Sequence, residues 1–320
     1  GPGFPLTGGA DSGWERMPRP RLKGYELLEV VGNGAGSVVY KAVEKATGRV
    51  CAIKHVSRKT IEGIEKARRQ ARTGDARLGA HARLNYDGFF EQIRNEYRVL
   101  RSLDPKSYSP HIVKAFTLVS RRRFFRPQSY DLVMEFIEGQ SLRDKRDYPM
   151  RDLVRFYREA AAALAFLHAH RILHTDIKPH HIFITTDGHV KILDFGLSRF
   201  FDDPPGKIQG TVDFMAPEQA KGRELSPRTD VYGLGATMYW ALTGKADRPA
   251  ISGVGGGVGF TVGFAGRADS VRDLNPQCPP ALEELILDSC ERRPSKRPKS
   301  MVEVITRLDT ILQTVSFSDS

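Results

Sequence analysis

The sequence predicts an α+β protein in which most strands come first and most helices come later. Residues 25–54 alternate apolar and polar side chains, the pattern of half-buried β-strands. Residues 151–170 are rich in Ala and Leu with apolar side chains at helical spacing, which predicts a long core helix. The 320 residues allow one or two domains, and 40% hydrophobic with 27% charged residues is typical of a soluble globular protein.

A glycine-rich segment lies inside the first predicted strands. Residues 32–39 read Gly-Asn-Gly-Ala-Gly-Ser-Val-Val, and residues 51–54 read Cys-Ala-Ile-Lys. Glycine lets backbone N–H groups approach phosphate oxygens because no side chain stands in the way. A strand hairpin with no ligand gives the same glycine pattern, and it is Lys54 that favours a phosphate site.

A helix is predicted around residues 93–103, because apolar side chains recur there at helical spacing. These positions are Ile93, Tyr97, Leu100 and Leu103. A lysine that holds phosphates needs an acidic partner, and Glu96 lies in the middle of this helix. Glu91 is the nearest competitor for that role, and Glu62 is a more distant one.

The most informative segment is residues 174–181, His-Thr-Asp-Ile-Lys-Pro-His-His, followed by Asp-Phe-Gly at 194–196 and Ala-Pro-Glu at 216–218. Phosphoryl transfer needs a carboxylate near the acceptor hydroxyl, cations along the phosphates and a metal-binding carboxylate. Between the first two motifs, Thr-Thr-Asp-Gly at 185–188 separates two apolar runs and predicts a hairpin. That hairpin would bring Asp176 and Asp194 close together.

In order and spacing, these segments resemble the signatures of the eukaryotic-like (Hanks-type) protein kinase superfamily. The resemblance covers about residues 25–312, and the motifs near 216–219 and 294–298 look most like the bacterial serine/threonine branch. It implies a bilobal kinase fold. The implied parts are a small, mainly β N-lobe at 21–137 with one key helix and a mainly helical C-lobe at 138–315. Residues 1–20 begin with Gly-Pro and are rich in Pro and Gly, which indicates an expression remnant with a disordered tail.

The resemblance implies roles for the catalytic segment. Asp176 would orient the acceptor hydroxyl, Lys178 would neutralise charge on the transferred group, and Thr211 would contact both. Asp194 would bind magnesium, and His181 occupies the place of the asparagine that binds a second magnesium.

In the glycine-rich segment, the resemblance places Gly32 and Gly34 at the first two glycines of the family pattern and Val39 at its valine. Ser37 replaces the third glycine, and Gly36 falls where an aromatic residue often caps the loop. Such a loop is expected to be more mobile and less shielding than usual.

The rest of the nucleotide site is implied in the same way, with Lys54 paired to Glu96. Residues 132–139 resemble the strand and hinge between the lobes, with Met134 at the back of the pocket and backbone groups of Glu135 and Ile137 on the adenine. A plain buried strand gives the same pattern. The side chains implied to enclose the adenine ring are Val31, Ala52 and Phe183.

Two scaffold contacts are also implied by the resemblance. Asp230 should hold the backbone of the catalytic loop, and Arg297 should form a buried ion pair with Glu218.

Two departures from the family pattern affect function. Thr175 replaces the arginine that in many relatives binds an activation-loop phosphate, and residues 199–209 contain no Ser, Thr or Tyr. We therefore expect a loop that is not activated by its own phosphorylation, with Asp202 and Asp203 at most a loose substitute. The imidazole of His181 suits manganese, zinc or iron better than magnesium. The expected cofactors are ATP and Mg²⁺, or Mn²⁺ in its place.

The expected function is an ATP-dependent serine/threonine protein kinase that acts on a protein substrate, with activity that is weak or prefers manganese. A nucleotide-binding pseudokinase that serves as a scaffold or switch is the alternative, based on His181, Ser37 and Thr175. A small-molecule phosphotransferase would not be expected to carry the Ala-Pro-Glu motif together with Asp230 and Arg297.

The net charge is +11, and part of the positive charge is concentrated in residues 58–83, which are rich in Lys and Arg. They form part of an insertion at about 57–88 that could dock an acidic partner, nucleic acid or anionic lipid, or could be a solvated, partly helical arm. The lack of interleaved aromatic residues argues against a specific nucleic-acid site.

Cellular location is predicted from cysteine content and hydropathy. The three cysteines show neither disulfide nor zinc spacing, which indicates a reducing, cytoplasmic compartment. No run approaches the ~18 apolar residues of a membrane span, so any membrane anchor would lie outside this chain.

Overall fold

The computed structural model describes residues 19–34, 36–71, 86–103, 108–203, 211–246, 249–252, 261–264 and 269–317. These residues belong to two compact units. The first unit takes its described residues from Gly1–Asp104 and Val113–Gln140, and the second takes them from Pro105–Ile112 and Ser141–Ser320.

The first unit contains a five-stranded antiparallel sheet in the order β1-β2-β3-β5-β4. Its strands are β1 (Tyr25–Asn33), β2 (Val38–Glu44), β3 (Val50–Ser57), β4 (Ala115–Arg123) and β5 (Arg126–Glu135), and its helices are α1 (Arg58–Ala71) and α2 (Tyr86–Ser102). One face of the sheet is closed by a cluster of buried apolar side chains. The cluster consists of Leu22, Ala42, Cys51, Ile53 and Val133.

Helix α2 has the predicted inward face. Ile93, Leu100 and Leu103 are buried, whereas Tyr97 is only partly buried. Asp87 in its first turn and Arg101 in its last turn are favourable with respect to the helix dipole.

Helix α1 lies in the predicted basic insertion and contributes to the core. Ile61 and Ile64 are fully buried, so this helix is packed on one side and is not a wholly solvated arm. The hydroxyl of Tyr86 donates to Glu62 Oε1 at 2.7 Å, which links α2 to α1. Residues 72–85 of the insertion lie outside the described residues.

The second unit is mainly helical. Strand β6 (Gly139–Ser141) spans the boundary between the units. The remaining elements are α3 (Met150–Ala169), β7 (Ile172–Leu173), β8 (Ile182–Thr185), β9 (Val190–Ile192), β10 (Arg199–Phe200), α4 (Pro217–Ala220), α5 (Pro227–Thr243), β11 (Pro249–Ser252), β12 (Thr261–Phe264), α6 (Val271–Leu274), α7 (Pro280–Ser289) and α8 (Met301–Thr314). Strands β8 and β9 form the hairpin predicted from the turn at 185–188, and Gly188 in that turn has a φ of +80°.

Helix α5 is the central helix of the second unit. It begins with a capping box between Ser226 and Thr229 and ends at Gly244, whose φ of +73° is accessible to glycine at little cost. Residues 229–242 are all buried, as expected for a helix enclosed on every side.

The predicted ion pair between Arg297 and Glu218 is confirmed. Two bonds join the groups, Nη1 to Oε1 at 2.7 Å and Nη2 to Oε2 at 2.9 Å, and the Arg297 side chain has no solvent exposure. Thr229 adds a hydroxyl bond to Glu218 at 3.0 Å. This contact ties the start of α5 and the Ala-Pro-Glu motif to the segment before α8.

These elements confirm the predicted α+β class, with a mainly β first unit and a mainly helical second unit. The predicted lobe boundary lay after residue 137, whereas the compact units divide after Gln140. Residues 108–112 also belong to the second unit, because the N–H of Ile192 donates to the His111 carbonyl at 2.8 Å and Ile112 bridges to Ile192. No helix within the described ranges is long and apolar enough to cross a membrane.

Candidate active site

The three predicted catalytic residues lie together in the second unit. Lys178 Nζ is 2.8 Å from Asp176 Oδ2 and donates to Thr211 Oγ1 at 2.7 Å. The N–H of Thr211 donates to Asp176 Oδ1 at 3.1 Å. The side chains of Asp176 and Lys178 are 9% and 18% exposed, so both can meet a substrate while remaining held in place.

Asp230 anchors the backbone of this loop. Its carboxylate accepts the N–H groups of His174 at 2.9 Å and Thr175 at 2.8 Å, and His168 Nε2 lies 2.8 Å away. Burial by itself raises the pKa of Asp230, but the hydrogen bond and charge of His168, together with His174, outweigh it and hold the pKa below its usual value. A buried, ionised carboxylate therefore fixes the loop.

Thr175 points inward. Its φ is +63°, a left-handed conformation that is unusual for a β-branched residue. Its hydroxyl donates to the Leu197 carbonyl at 2.8 Å, and the Gln219 side chain donates to the Thr175 carbonyl at 2.8 Å. The first bond holds the strained residue to the segment after Asp-Phe-Gly, and the second holds it to the residue after Ala-Pro-Glu.

His181 lies between the two carboxylates that the sequence singled out. Its Nδ1 is 2.7 Å from the Asp176 carbonyl, which can only accept, so Nδ1 carries the proton. Burial lowers the pKa of His181 to about 4, so the ring is neutral at physiological pH. The lone pair is therefore on Nε2, which is 3.5 Å from Asp194 Oδ2.

Nε2 of His181 and the carboxylate of Asp194 are the two groups that could together hold one divalent cation. Asp194 has a φ of +61°, and its side chain is 43% exposed. A metal-binding histidine usually donates its other ring N–H to a carbonyl or carboxylate, as His181 Nδ1 does to the Asp176 carbonyl. The described residues contain no group of three or more His, Cys, Asp or Glu side chains suited to a metal, so phosphate oxygens and water would complete the coordination.

His174 does not join this donor set. Its Nε2 is 3.3 Å from the Leu193 carbonyl, and its Nδ1 is 3.4 Å from the backbone nitrogen of Asp176, so both ring nitrogens have backbone partners. Burial lowers the pKa of His174, which keeps the ring neutral. It packs 5.1 Å from the ring of Phe195, as a core residue would.

In the first unit, Lys54 on β3 pairs with Glu96 on α2. Lys54 Nζ is 2.7 Å from Glu96 Oε2, and the two side chains are 16% and 2% exposed. Of the two competitors for this role, Glu91 is exposed and Glu62 accepts from Tyr86.

The glycine-rich segment forms the turn between β1 and β2. Gly32 pairs with Val39 across the strands, and the N–H of Gly34 donates to the Ser37 carbonyl at 2.9 Å. Ser37 is 5% exposed, and a Cβ at Gly34 would lie 2.8 Å from its Oγ. The serine in place of the third glycine therefore packs inside the turn.

The side chains expected beside the adenine are all buried, each within its own unit. Val31, Ala52, Met134 and Ile137 are buried in the first unit and Phe183 in the second, with 1% to 9% exposure. The N–H of Glu135 donates to the Lys114 carbonyl at 2.9 Å, and Glu135 Oε1 accepts the Lys114 N–H at 2.8 Å.

Residues 25–307 match the protein kinase domain family, and the chain belongs to this family. It is 30% identical over 284 residues to the serine/threonine-protein kinase PknA of Mycobacterium tuberculosis, covering 86% of this chain and 58% of that protein. Over 299 residues it is 28% identical to a probable serine/threonine-protein kinase of Clostridium perfringens, covering 90% and 38%. Over 286 residues it is 27% identical to the serine/threonine-protein kinase PrkC of Bacillus subtilis, covering 87% and 39%. The chain thus spans less than two thirds of each of these relatives.

Three residues that contribute to the site were missed in the sequence. His168 lies in the last turn of the long helix α3, and its polar side chain at that place is the only signal for it in the sequence. Gln219 directly follows the Ala-Pro-Glu motif, which gave no indication that its amide binds the Thr175 carbonyl. Phe89 packs against Gly36, and no local pattern predicts that contact.

Proposed function

We propose that this chain transfers the terminal phosphoryl group of ATP to a serine or threonine hydroxyl of a protein substrate. The observation that carries the proposal is the contact of Asp176, Lys178 and Thr211. A carboxylate held beside a cation in this way can orient an acceptor hydroxyl and accept its proton, while the cation offsets charge on the transferred group.

The remaining roles follow from the chemistry of each group. Lys54, held by Glu96, would bind phosphate oxygens of the nucleotide, and His181 with Asp194 would hold a divalent cation. A bound divalent cation supplies charge stabilisation to the phosphates during transfer. An imidazole nitrogen in the donor set supports a preference for Mn²⁺ over Mg²⁺.

Catalysis that does not require phosphorylation of the activation loop is part of the same proposal. The Thr175 hydroxyl binds the Leu197 carbonyl, which supports a role in fixing the loop without a phosphate. Asp202 pairs with Arg171 at 2.8 Å, and Asp203 accepts the N–H of Phe200 at 2.9 Å, so both acidic residues make local contacts. Residues 204–210 lie outside the described residues.

Phosphatase treatment tests this part of the proposal. We expect treated and untreated protein to show the same kcat. Ser198 and Thr211 are the hydroxyl residues nearest to 199–209, the stretch without Ser, Thr or Tyr. Mass spectrometry can locate a phosphate on either residue. A large loss of kcat that accompanies removal of phosphate from Ser198 or Thr211 would contradict the expectation.

A partner for the basic insertion also belongs to the proposal. The exposed Lys59 on α1 and the basic residues of 58–83 would favour an acidic surface. Localisation of the protein in the cytoplasm, as its cysteine content suggests, remains a prediction.

Purified protein incubated with labelled ATP, a basic protein substrate and either Mg²⁺ or Mn²⁺ tests the main proposal. Asp176→Asn should reduce labelling by about 10²–10⁴-fold, the usual contribution of a general base. Asp152→Asn makes the same chemical change at a partly exposed position on α3, where the carboxylate pairs with Arg155, and should leave labelling unchanged. Equal labelling by wild type and Asp176→Asn would refute the kinase proposal. Nucleotide binding without labelling in either metal would favour the pseudokinase alternative.

A further inference from the structure

The turn between β4 and β5 exposes two large aromatic side chains. Phe124 and Phe125 form a two-residue connection, with Arg123 paired to Arg126 across the strands. They are 84% and 95% exposed, the highest values among the exposed large apolar residues of the described chain. We call residues 122–126 the hairpin tip.

The backbone of the hairpin tip is unusual for these residues. Phe124 and Phe125 have φ values of +48° and +63°. Two-residue hairpin turns with both φ values positive favour Asn-Gly, and bulky side chains adopt this conformation only at a cost in free energy. Strained residues of this kind cluster at functional sites. The described chain has three further ones, Arg171, Thr175 and Asp194, and the last two belong to the candidate active site.

The hairpin tip carries a concentrated positive charge. Arg122, Arg123 and Arg126 are exposed, and residues 115–130 contain no Asp or Glu. The Arg123 guanidinium lies 5.5 Å from the centre of the Phe124 ring, so charge and aromatic surface are adjacent. Arg121, one residue before the tip, is 3.4 Å from the buried Asp131 and is partly neutralised.

We propose that the hairpin tip docks onto an anionic lipid bilayer. Exposed arginines are attracted to the negative surface potential of such a membrane, and apolar side chains beside them can enter the boundary between headgroups and acyl chains. The net charge of +11 also favours binding to an anionic surface.

A bilayer suits this feature better than other anionic partners do. A single-stranded nucleic acid stacks its bases on aromatic side chains along a positive groove. Here both rings project from the end of a hairpin and are almost fully exposed, so no groove holds them. A bilayer interface accepts such a projecting pair without a complementary pocket.

Vesicle sedimentation tests the proposal without relying on kinase activity. Wild-type protein should sediment with vesicles of phosphatidylcholine and phosphatidylserine, but not with phosphatidylcholine alone, and added salt should weaken the binding. Phe124→Asn/Phe125→Gly keeps the turn in its preferred sequence while removing both rings. It should keep or raise the melting temperature and bind mixed vesicles about tenfold or more weakly, since its apolar surface is lost.

Two further variants separate charge from general apolar exposure. Arg122→Gln/Arg123→Gln should weaken binding and reduce its salt dependence. Val302→Ser removes another exposed apolar side chain, 63% exposed on α8, and should bind like wild type. The proposal is overturned if wild type does not bind the mixed vesicles, or if Phe124→Asn/Phe125→Gly binds them equally well. The two other anionic partners to test are single-stranded RNA and polyglutamate. Binding of wild type to either one through the hairpin tip, without binding to the vesicles, would also overturn the proposal.

Discussion

A Cβ atom added at Gly36 would lie 2.6 Å from Cδ1 of Phe89. The glycine in the loop between β1 and β2 therefore leaves room for an aromatic ring supplied by helix α2. The family pattern led us to expect an uncapped, mobile loop, because its own aromatic residue is missing. Contact with Phe89 gives that loop an aromatic support from elsewhere in the first unit.

We predict that Phe89 positions the glycine-rich loop for nucleotide binding. Phe89→Ala should raise the KM for ATP roughly threefold to tenfold, the equivalent of about 0.7–1.4 kcal/mol of aromatic packing, with a smaller effect on kcat. Steady-state kinetics at varied ATP measures this. Glu91→Ala, at an exposed position of the same helix, is the control and should leave the KM unchanged.

A swap of the two side chains makes the prediction specific. Gly36→Phe alone should weaken ATP binding, because two rings compete for one space. The double variant Gly36→Phe/Phe89→Ala should recover much of the wild-type KM, since the loop then carries its own aromatic residue. A double variant worse than both single variants would contradict the proposed role.

The metal preference should depend on His181. His181→Asn replaces the imidazole nitrogen by a harder amide oxygen, so Mg²⁺-supported turnover should rise and the ratio of Mn²⁺ to Mg²⁺ activity should fall. His180→Asn is the matched control, because this neighbouring histidine is exposed. Metal titrations of kcat measure both ratios, and an unchanged ratio in His181→Asn would refute the prediction.

Asp230 should make a pH-dependent contribution to stability. Its folded-state pKa is lowered, so its stabilising contribution is fully present above the unfolded value of about 3.9 and is lost as the pH falls through the folded value. Asp230→Asn should lower the free energy of unfolding by about 1–3 kcal/mol near neutral pH, because its amide N–H would face backbone donors in place of a carboxylate oxygen. Urea unfolding should show the difference from wild type shrinking below about pH 4. A difference that stays constant down to acid pH would contradict this account.

The ion pair of Arg297 and Glu218 should dominate the local stability of the second unit. Arg297→Ala strands a buried carboxylate and should cost about 3–5 kcal/mol in the free energy of unfolding. Arg158→Ala breaks the pair with Asp309, whose side chains are 40% and 39% exposed, and should cost only about 0–1 kcal/mol. Thermal and denaturant unfolding compare the two, and equal losses would show that burial is not the deciding factor.

The amino-acid sequence was enough to predict the α+β class, the hairpin at 182–192 and helix α2, and the family resemblance added the pair of Arg297 with Glu218. Side-chain periodicity and turn residues determine local elements directly, and ordered motifs align with a family whose contacts can be carried over position by position. The family resemblance likewise predicted that Asp176, Lys178 and Thr211 contact one another.

The folded structure was needed to show which side chains from distant segments meet and which way they face. Phe89 reaches Gly36, His168 reaches Asp230, and the ring of His181 turns Nδ1 to a carbonyl and leaves Nε2 beside Asp194. Residues 108–112 joined the second unit through backbone bonds to β9. Neither periodicity nor motif spacing encodes these outcomes, because each depends on packing between elements that are far apart in the chain.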